Sequence, residues 1–155
     1  MDTYIDVKPS DTNHINTIYN ILKSCSINLA KKFLFHWIPF YSRRAIKRDC
    51  SINRVVLVYN SDIGDYTSTF QMSVNDKNLY VRKIATLPQY EGRGIGCKNL
   101  QYMEEYGRSH RCNKVCLDVY IRSKGAIDFY LRNGYIVVGT KRSIRFRELI
   151  MEKNL

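Results

Sequence analysis

Acidic residues are in short supply here: 14 Asp plus Glu stand against 25 Lys plus Arg in 155 residues, a formal net charge of +11. Such a surface favours anionic ligands, and a nucleic acid, an anionic lipid and a phosphorylated cofactor all satisfy it equally, so charge selects none of them. No stretch is dominated by Pro, Gly or Ser, which argues against a disordered chain or a long linker. The five cysteines, Cys25, Cys50, Cys97, Cys112 and Cys116, are odd in number and lack a short zinc-clasping spacing. Reduced thiols are therefore expected, and no metal. The greasiest run, Leu34 to Tyr41, is too short to span a bilayer. No basic segment followed by an apolar core opens the chain, so a cytoplasmic protein without a membrane partner is expected. The length suits one domain over 1–155 with a core of its own.

What is present reads as alternating elements. Ile5 and Val7 mark a short strand before Pro9, and Ile15, Ile18, Tyr19 and Leu22 form the apolar stripe of a helix running to about Cys25. From Ile27 to Cys50 aromatic and basic residues interleave around Pro39, which predicts two short helices. That mixture suits a nucleic-acid surface or a helix pair with buried aromatics and solvated cations, and the latter is preferred. Val55 to Tyr59, Phe70 to Val74 and Leu79 to Leu87, separated by turn residues, predict three consecutive antiparallel strands. Gly96, Leu100, Met103 and Gly107 share one helical face, Val115 to Val119 alternates as a strand, and Ala126 to Tyr130 is a short helix that Asn133-Gly134 ends. Tyr135 to Val138 and Phe146 to Met151 close the chain as two further strands.

The segment Pro88-Gln89-Tyr90-Glu91-Gly92-Arg93-Gly94-Ile95-Gly96 joins a strand to a helix. Three glycines at alternate positions leave backbone N–H groups uncovered, and the helix dipole adds positive potential, so the loop suits a pyrophosphate. No Gly-Lys-Ser/Thr follows, as it would in a P-loop, and an early parallel βαβ unit is missing.

Together with Ala126-Ile127-Asp128-Phe129-Tyr130-Leu131-Arg132-Asn133-Gly134-Tyr135, this loop resembles the GNAT superfamily of acyl-CoA N-acyltransferases over roughly Leu79 to Tyr135. The resemblance implies an α/β fold: a mixed, mostly antiparallel sheet flanked by helices, with strands 4 and 5 splayed to admit pantetheine. It implies acetyl-CoA as cosubstrate, held by loop residues Glu91, Gly92, Arg93, Gly94, Ile95, Gly96 and Cys97. Ile84, Ala85 and Thr86 would present backbone N–H to the thioester carbonyl. From the second motif Ser123, Ala126, Phe129, Tyr130 and Arg132 would reach the cofactor, and Tyr130 would donate a proton to the leaving sulfur. Two positions depart from the family pattern. Glu91 stands where Gln or Arg is usual and sets a carboxylate near phosphate, and Ser123 replaces an Asn that bonds pantetheine. Ser123 also suits a helix cap.

The implied reaction is acetyl transfer to a primary amine of a small molecule or peptide by direct attack in a ternary complex. It needs a proton acceptor, for which a water relay, Asp118, Glu104 and Glu105 are the candidates. Arg82 and Lys83 precede Ile84, so one of them is expected to face the acceptor and favour an amine that also carries an anion. A homodimer is left open. The other reading is a non-catalytic acyl-CoA-binding or nucleic-acid-associated module.

Overall fold

A computed structural model describes residues 1–155. Along the chain run β1 (Asp2–Asp6), α1 (Thr12–Lys31), α2 (Arg43–Ile52), β2 (Arg54–Asn60), β3 (Asp65–Asn75) and β4 (Asn78–Thr86). A 3-10 turn at Pro88–Tyr90 leads to α3 (Ile95–Ser109), β5 (Lys114–Tyr120), α4 (Lys124–Arg132), β6 (Ile136–Arg142) and β7 (Arg147–Asn154). Hydrogen bonding orders the strands β1-β2-β3-β4-β5-β7-β6, one mixed sheet flanked by helices. The β4–β5 pair is parallel, whereas β1–β2, β2–β3, β5–β7 and β6–β7 are antiparallel.

The chain divides into two compact units, Met1–Met72 with Lys83–Gly96, and Ser73–Arg82 with Cys97–Leu155. In the first, the α1 stripe Ile15, Ile18, Ile21 and Leu22 meets Ile46 of α2, Val55 and Leu57 of β2, and Ala85 of β4. These are the positions that period 3.6 on the helices and period 2 on the strands put on one face. Ser42 caps α2 by accepting a bond from the Ala45 N–H at 3.1 Å. That bond satisfies one orphan amide of the first turn and sets where the helix begins.

Two features between Ile27 and Cys50 differ from expectation. Helix α1 continues through Lys31, because Ile27 to Lys31 contains no breaker, and one further helix, not two, follows. The aromatic residues divide: Trp37 and Tyr41 pack against the core, but Phe33, Phe35 and Phe40 are exposed. Proline-interrupted backbone has no fixed period, so sequence spacing could not sort the buried rings from the exposed ones.

In the second unit Leu79, Leu100, Met103, Val115, Tyr135 and Met151 are fully buried. Glu104, also buried, receives the Lys153 ammonium at 3.0 Å on both carboxylate oxygens and lies 3.8 Å from Arg108. The Tyr135 hydroxyl donates to it at 3.4 Å. A buried carboxylate is tolerable only when paired in this way.

Ile46 is completely shielded and ties α2 to the rest of its unit. Ile46→Ala is expected to lower stability by about 2–5 kcal/mol, the range for emptying a buried aliphatic site. Urea unfolding of the two proteins measures it, and a loss under about 1 kcal/mol would mean that α2 relaxes into the space.

Candidate active site

The glycine-rich loop is held from its own unit. The Leu87 N–H donates to the Thr67 carbonyl at 2.9 Å, and the Tyr90 hydroxyl donates to Asp65 Oδ2 at 2.7 Å. Tyr90 N–H to Leu87 O at 2.9 Å closes the 3-10 turn that Pro88 starts. Gly92 and Gly94 then adopt left-handed φ of 75° and 78°, and nothing lies within 4 Å of where a side chain would begin. Glycine is required there by backbone conformation, not by crowding. Helix α3 starts at Ile95, and its first-turn N–H groups have no acceptor inside the helix. Glu91 and Arg93 are both exposed beside this loop, Arg93 with its guanidinium 5.5 Å from the Tyr90 ring centre.

On β4, Ala85 is buried in the core of the first unit, and Ile84 and Thr86 are half-buried. The Thr86 carbonyl accepts a bond from the Cys25 thiol at 3.2 Å. Burial, with the negative charge of Glu91, pushes that thiol up to about 12, so Cys25 stays protonated and inert. Just before Ile84, Lys83 has φ of 49°, a left-handed conformation inside a strand. Its ammonium is paired with Asp49 and lies 4.2 Å from the Tyr41 ring centre. Gln71 donates to the same Asp49 oxygen at 2.9 Å. Sequence reasoning missed this cluster, although Asp49 stands three residues from Ile46 and so on the inner face of α2. Lys83 is therefore not a free cation, while Arg82 is exposed, 3.5 Å from Ser73 Oγ.

The β4–β5 ladder consists of Asn78, Leu79 and Tyr80 against Lys114, Val115 and Cys116. Both strands continue beyond it, and β5 keeps its β7 partner through Tyr120↔Glu148.

Ser123 precedes α4, but its side chain makes no cap bond; the buried Oγ has no hydrogen-bond partner. Of the two sequence readings for Ser123, cap or cofactor contact, the cap is not realised. Ala126 and Phe129 are half-buried, and Arg132 is exposed in the last turn of α4. The Tyr130 ring meets Phe129 and Tyr135 edge-on at 5.2 and 5.8 Å. Burial raises the pKa of its hydroxyl, which keeps the proton at neutral pH.

Of the carboxylates considered as proton acceptors, Glu104 is committed to Lys153, Arg108 and Tyr135. Asp118 is exposed on β5 and paired with Lys141, and Glu105 is exposed on α3. No group of three or more His, Cys, Asp or Glu side chains is placed to hold a metal ion, and no helix is long and apolar enough to cross a membrane.

Residues 16–135 match the model of the Acetyltransferase (GNAT) family. N-alpha-acetyltransferase 50 of Danio rerio is 31% identical over 90 residues, which are 56% of this chain and 54% of that protein. The chain spans about half the length of the curated relatives it matches. Among solved structures, the PaiA N-acetyltransferase of Thermoplasma acidophilum in complex with coenzyme A superposes with a TM-score of 0.81 at 15% identity, over 100% of this chain and 99% of that one. The ribosomal-protein-S18-alanine N-acetyltransferase of Escherichia coli gives 0.78 at 17% identity, over 99% and 94%. At these identities the two structures speak for the fold alone.

A working N-cap serine contributes about 1 kcal/mol, and its loss would show. Because Ser123 Oγ is buried without a partner, Ser123→Ala should leave the melting temperature of the ligand-free protein unchanged or slightly raised. A clear drop in a thermal melt would restore the capping role.

Proposed function

The chain belongs to the Acetyltransferase (GNAT) family, and from that premise we propose that it transfers an acetyl group from acetyl-CoA to a primary amine of a small molecule or peptide, within one domain spanning 1–155. The observation that carries this reading is the loop at Gly92 and Gly94. Two left-handed glycines with open space on their outer sides deliver the chain to the bare N-terminus of α3, an arrangement suited to a pyrophosphate. The unpartnered Ser123 hydroxyl supports it, since a buried polar atom without a protein partner takes one from outside the fold, and a cofactor amide is such a partner. Acetyl-CoA supplies an activated acyl carbonyl on a thiol leaving group.

The residues divide the work. Amides of Glu91 through Cys97 hold phosphate oxygens, with Arg93 adding positive charge and Glu91 facing solvent. The Ser123 hydroxyl, Ala126 and Phe129 flank the pantetheine, and exposed Arg132 adds a cation for the cofactor. Backbone N–H groups in the stretch Ile84, Ala85 and Thr86 donate to the acyl oxygen, where negative charge builds as the amine attacks. Tyr130, whose hydroxyl carries its proton at neutral pH, gives that proton to the departing sulfur. With Glu104 occupied by two cations, water is the natural carrier of the amine's proton. Selection of an anionic amine rests on Arg82 alone, because the charge of Lys83 is met by Asp49.

The test is thermal. Acetyl-CoA well above its dissociation constant should raise the melting temperature, as any ligand specific for the folded state must, and thiol release with a panel of amines should reveal turnover. No shift at saturating cofactor overturns the reading.

Tyr130→Phe should keep that shift while lowering kcat by ~10²-fold, the usual contribution of a positioned general acid. An unchanged kcat removes Tyr130 from the chemistry.

A further inference from the structure

A lysine with φ of 49° in mid-strand is out of place, since left-handed backbone costs energy for any residue with a Cβ and is ordinarily given to glycine or asparagine. Something must hold Lys83 there. Two contacts do: its ammonium is paired with Asp49 and lies 4.2 Å from the Tyr41 ring centre, and the Gln71 amide, donating at 2.9 Å to the same Asp49 oxygen, fixes that carboxylate. Asn53 extends the chain by donating to Gln71 at 3.2 Å. The Lys83 side chain is 18% exposed and that of Asp49 9%, so the pair is sheltered from solvent screening.

Asp49 needs the lysine as much as the lysine needs it. It stands near the C-terminal end of α2, where the helix dipole opposes a carboxylate, and the last turn of α2 holds no basic residue of its own. The cation that balances it comes from β4. Tyr41 in turn packs edge-on against Trp37, so the ring over the ammonium is itself held in place.

The peptide plane that follows residue 83 takes its direction from the backbone angles of that residue, because the peptide unit is rigid. A left-handed residue therefore turns the Ile84 N–H away from the direction that regular strand alternation would give it. We propose that Lys83 is a positioning residue for acyl transfer: Asp49 and Tyr41 clamp its ammonium, the clamp keeps residue 83 left-handed, and the left-handed residue aims the Ile84 amide. This inference rests on the reading above, in which amides of Ile84 to Thr86 donate to the acyl oxygen. It gives Lys83 a conformational task instead of a charge-bearing one, and it assigns Asp49 and Tyr41 supporting parts in the same task.

Glycine separates the two kinds of task, since it accepts a left-handed φ without any clamp. Lys83→Met and Lys83→Gly are each made together with Asp49→Asn, so that neither protein keeps an unpaired buried carboxylate, and Lys83→Gly is also made alone. For Asp49→Asn/Lys83→Met, kcat should fall about tenfold or more, as expected when an oxyanion donor is misdirected. The acetyl-CoA KM and the CoA-induced thermal shift should stay near wild type. Both glycine proteins should regain most of the wild-type kcat. Equal loss in the methionine and glycine proteins would assign the effect to the lost charge and overturn the proposal, as would a methionine protein with wild-type kcat. If the methionine protein does not fold, Asp49→Asn/Lys83→Gly decides: a large drop in kcat with an intact CoA shift overturns the proposal, and near-wild-type kcat supports it. A wild-type protein that neither responds to CoA nor acetylates any amine is a different result, which removes the acetyltransferase reading itself and this inference with it.

Discussion

Every backbone N–H in a folded chain must find an acceptor, and the places where the fold itself supplies none are the ones open to a ligand. The first turn of α3 is one such place, because no helix can satisfy its own leading amides. Gly92 and Gly94 keep the approach to it open by adopting left-handed backbone and by carrying no side chain that would cover it. In the proposed function these two elements would meet a phosphate-bearing ligand with neutral dipoles, without drawing on the surplus of Lys and Arg. Strand β4 shows the same logic within the sheet. Its ladder to β5 covers Asn78 to Tyr80, and the left-handed residue 83 breaks the regular alternation of amides immediately before Ile84.

Charge is handled by pairing. Asp49 is matched by Lys83, Glu104 by Lys153 and Arg108, Asp118 by Lys141, and Asp6 by Arg54 at 2.6 Å. In a chain with so few acids, this leaves the buried carboxylates committed to structure. Two of the carboxylates that look available in sequence, Glu104 and Asp118, are thus already paired in the folded protein. The exposed pairs contribute little to stability, whereas Asp49 and Glu104, withdrawn from water, would be costly to leave alone.

Some of this could be read from the amino acids without coordinates. Local chemistry determined the succession of elements, because the stripe Ile15, Ile18 and Leu22, the alternation in β5 and the turn glycines each act over a few residues. The loop from Pro88 to Gly96 was legible for the same reason, since glycine spacing dictates its left-handed backbone and the helix that follows. So was the motif around Tyr130, whose resemblance to a known family brought the fold with it. Segment 27–50 was read less well, since around Pro39 no periodicity exists to say which rings face inward.

By itself, then, the sequence determined the order of helices and strands outside segment 27–50, the glycine-rich loop between β4 and α3, and the family. These depend on contacts among near neighbours and on the backbone demands of glycine and proline. Tertiary structure alone decided the pairing of residues far apart in the chain. It brought Asp49, Gln71, Tyr41 and Lys83 together from α2, β3, the segment before α2, and β4, and it left Ser123 Oγ buried with no partner. It also placed a lysine in a glycine's conformation, because the cost of a strained φ can be offset by an ion pair that no local pattern announces.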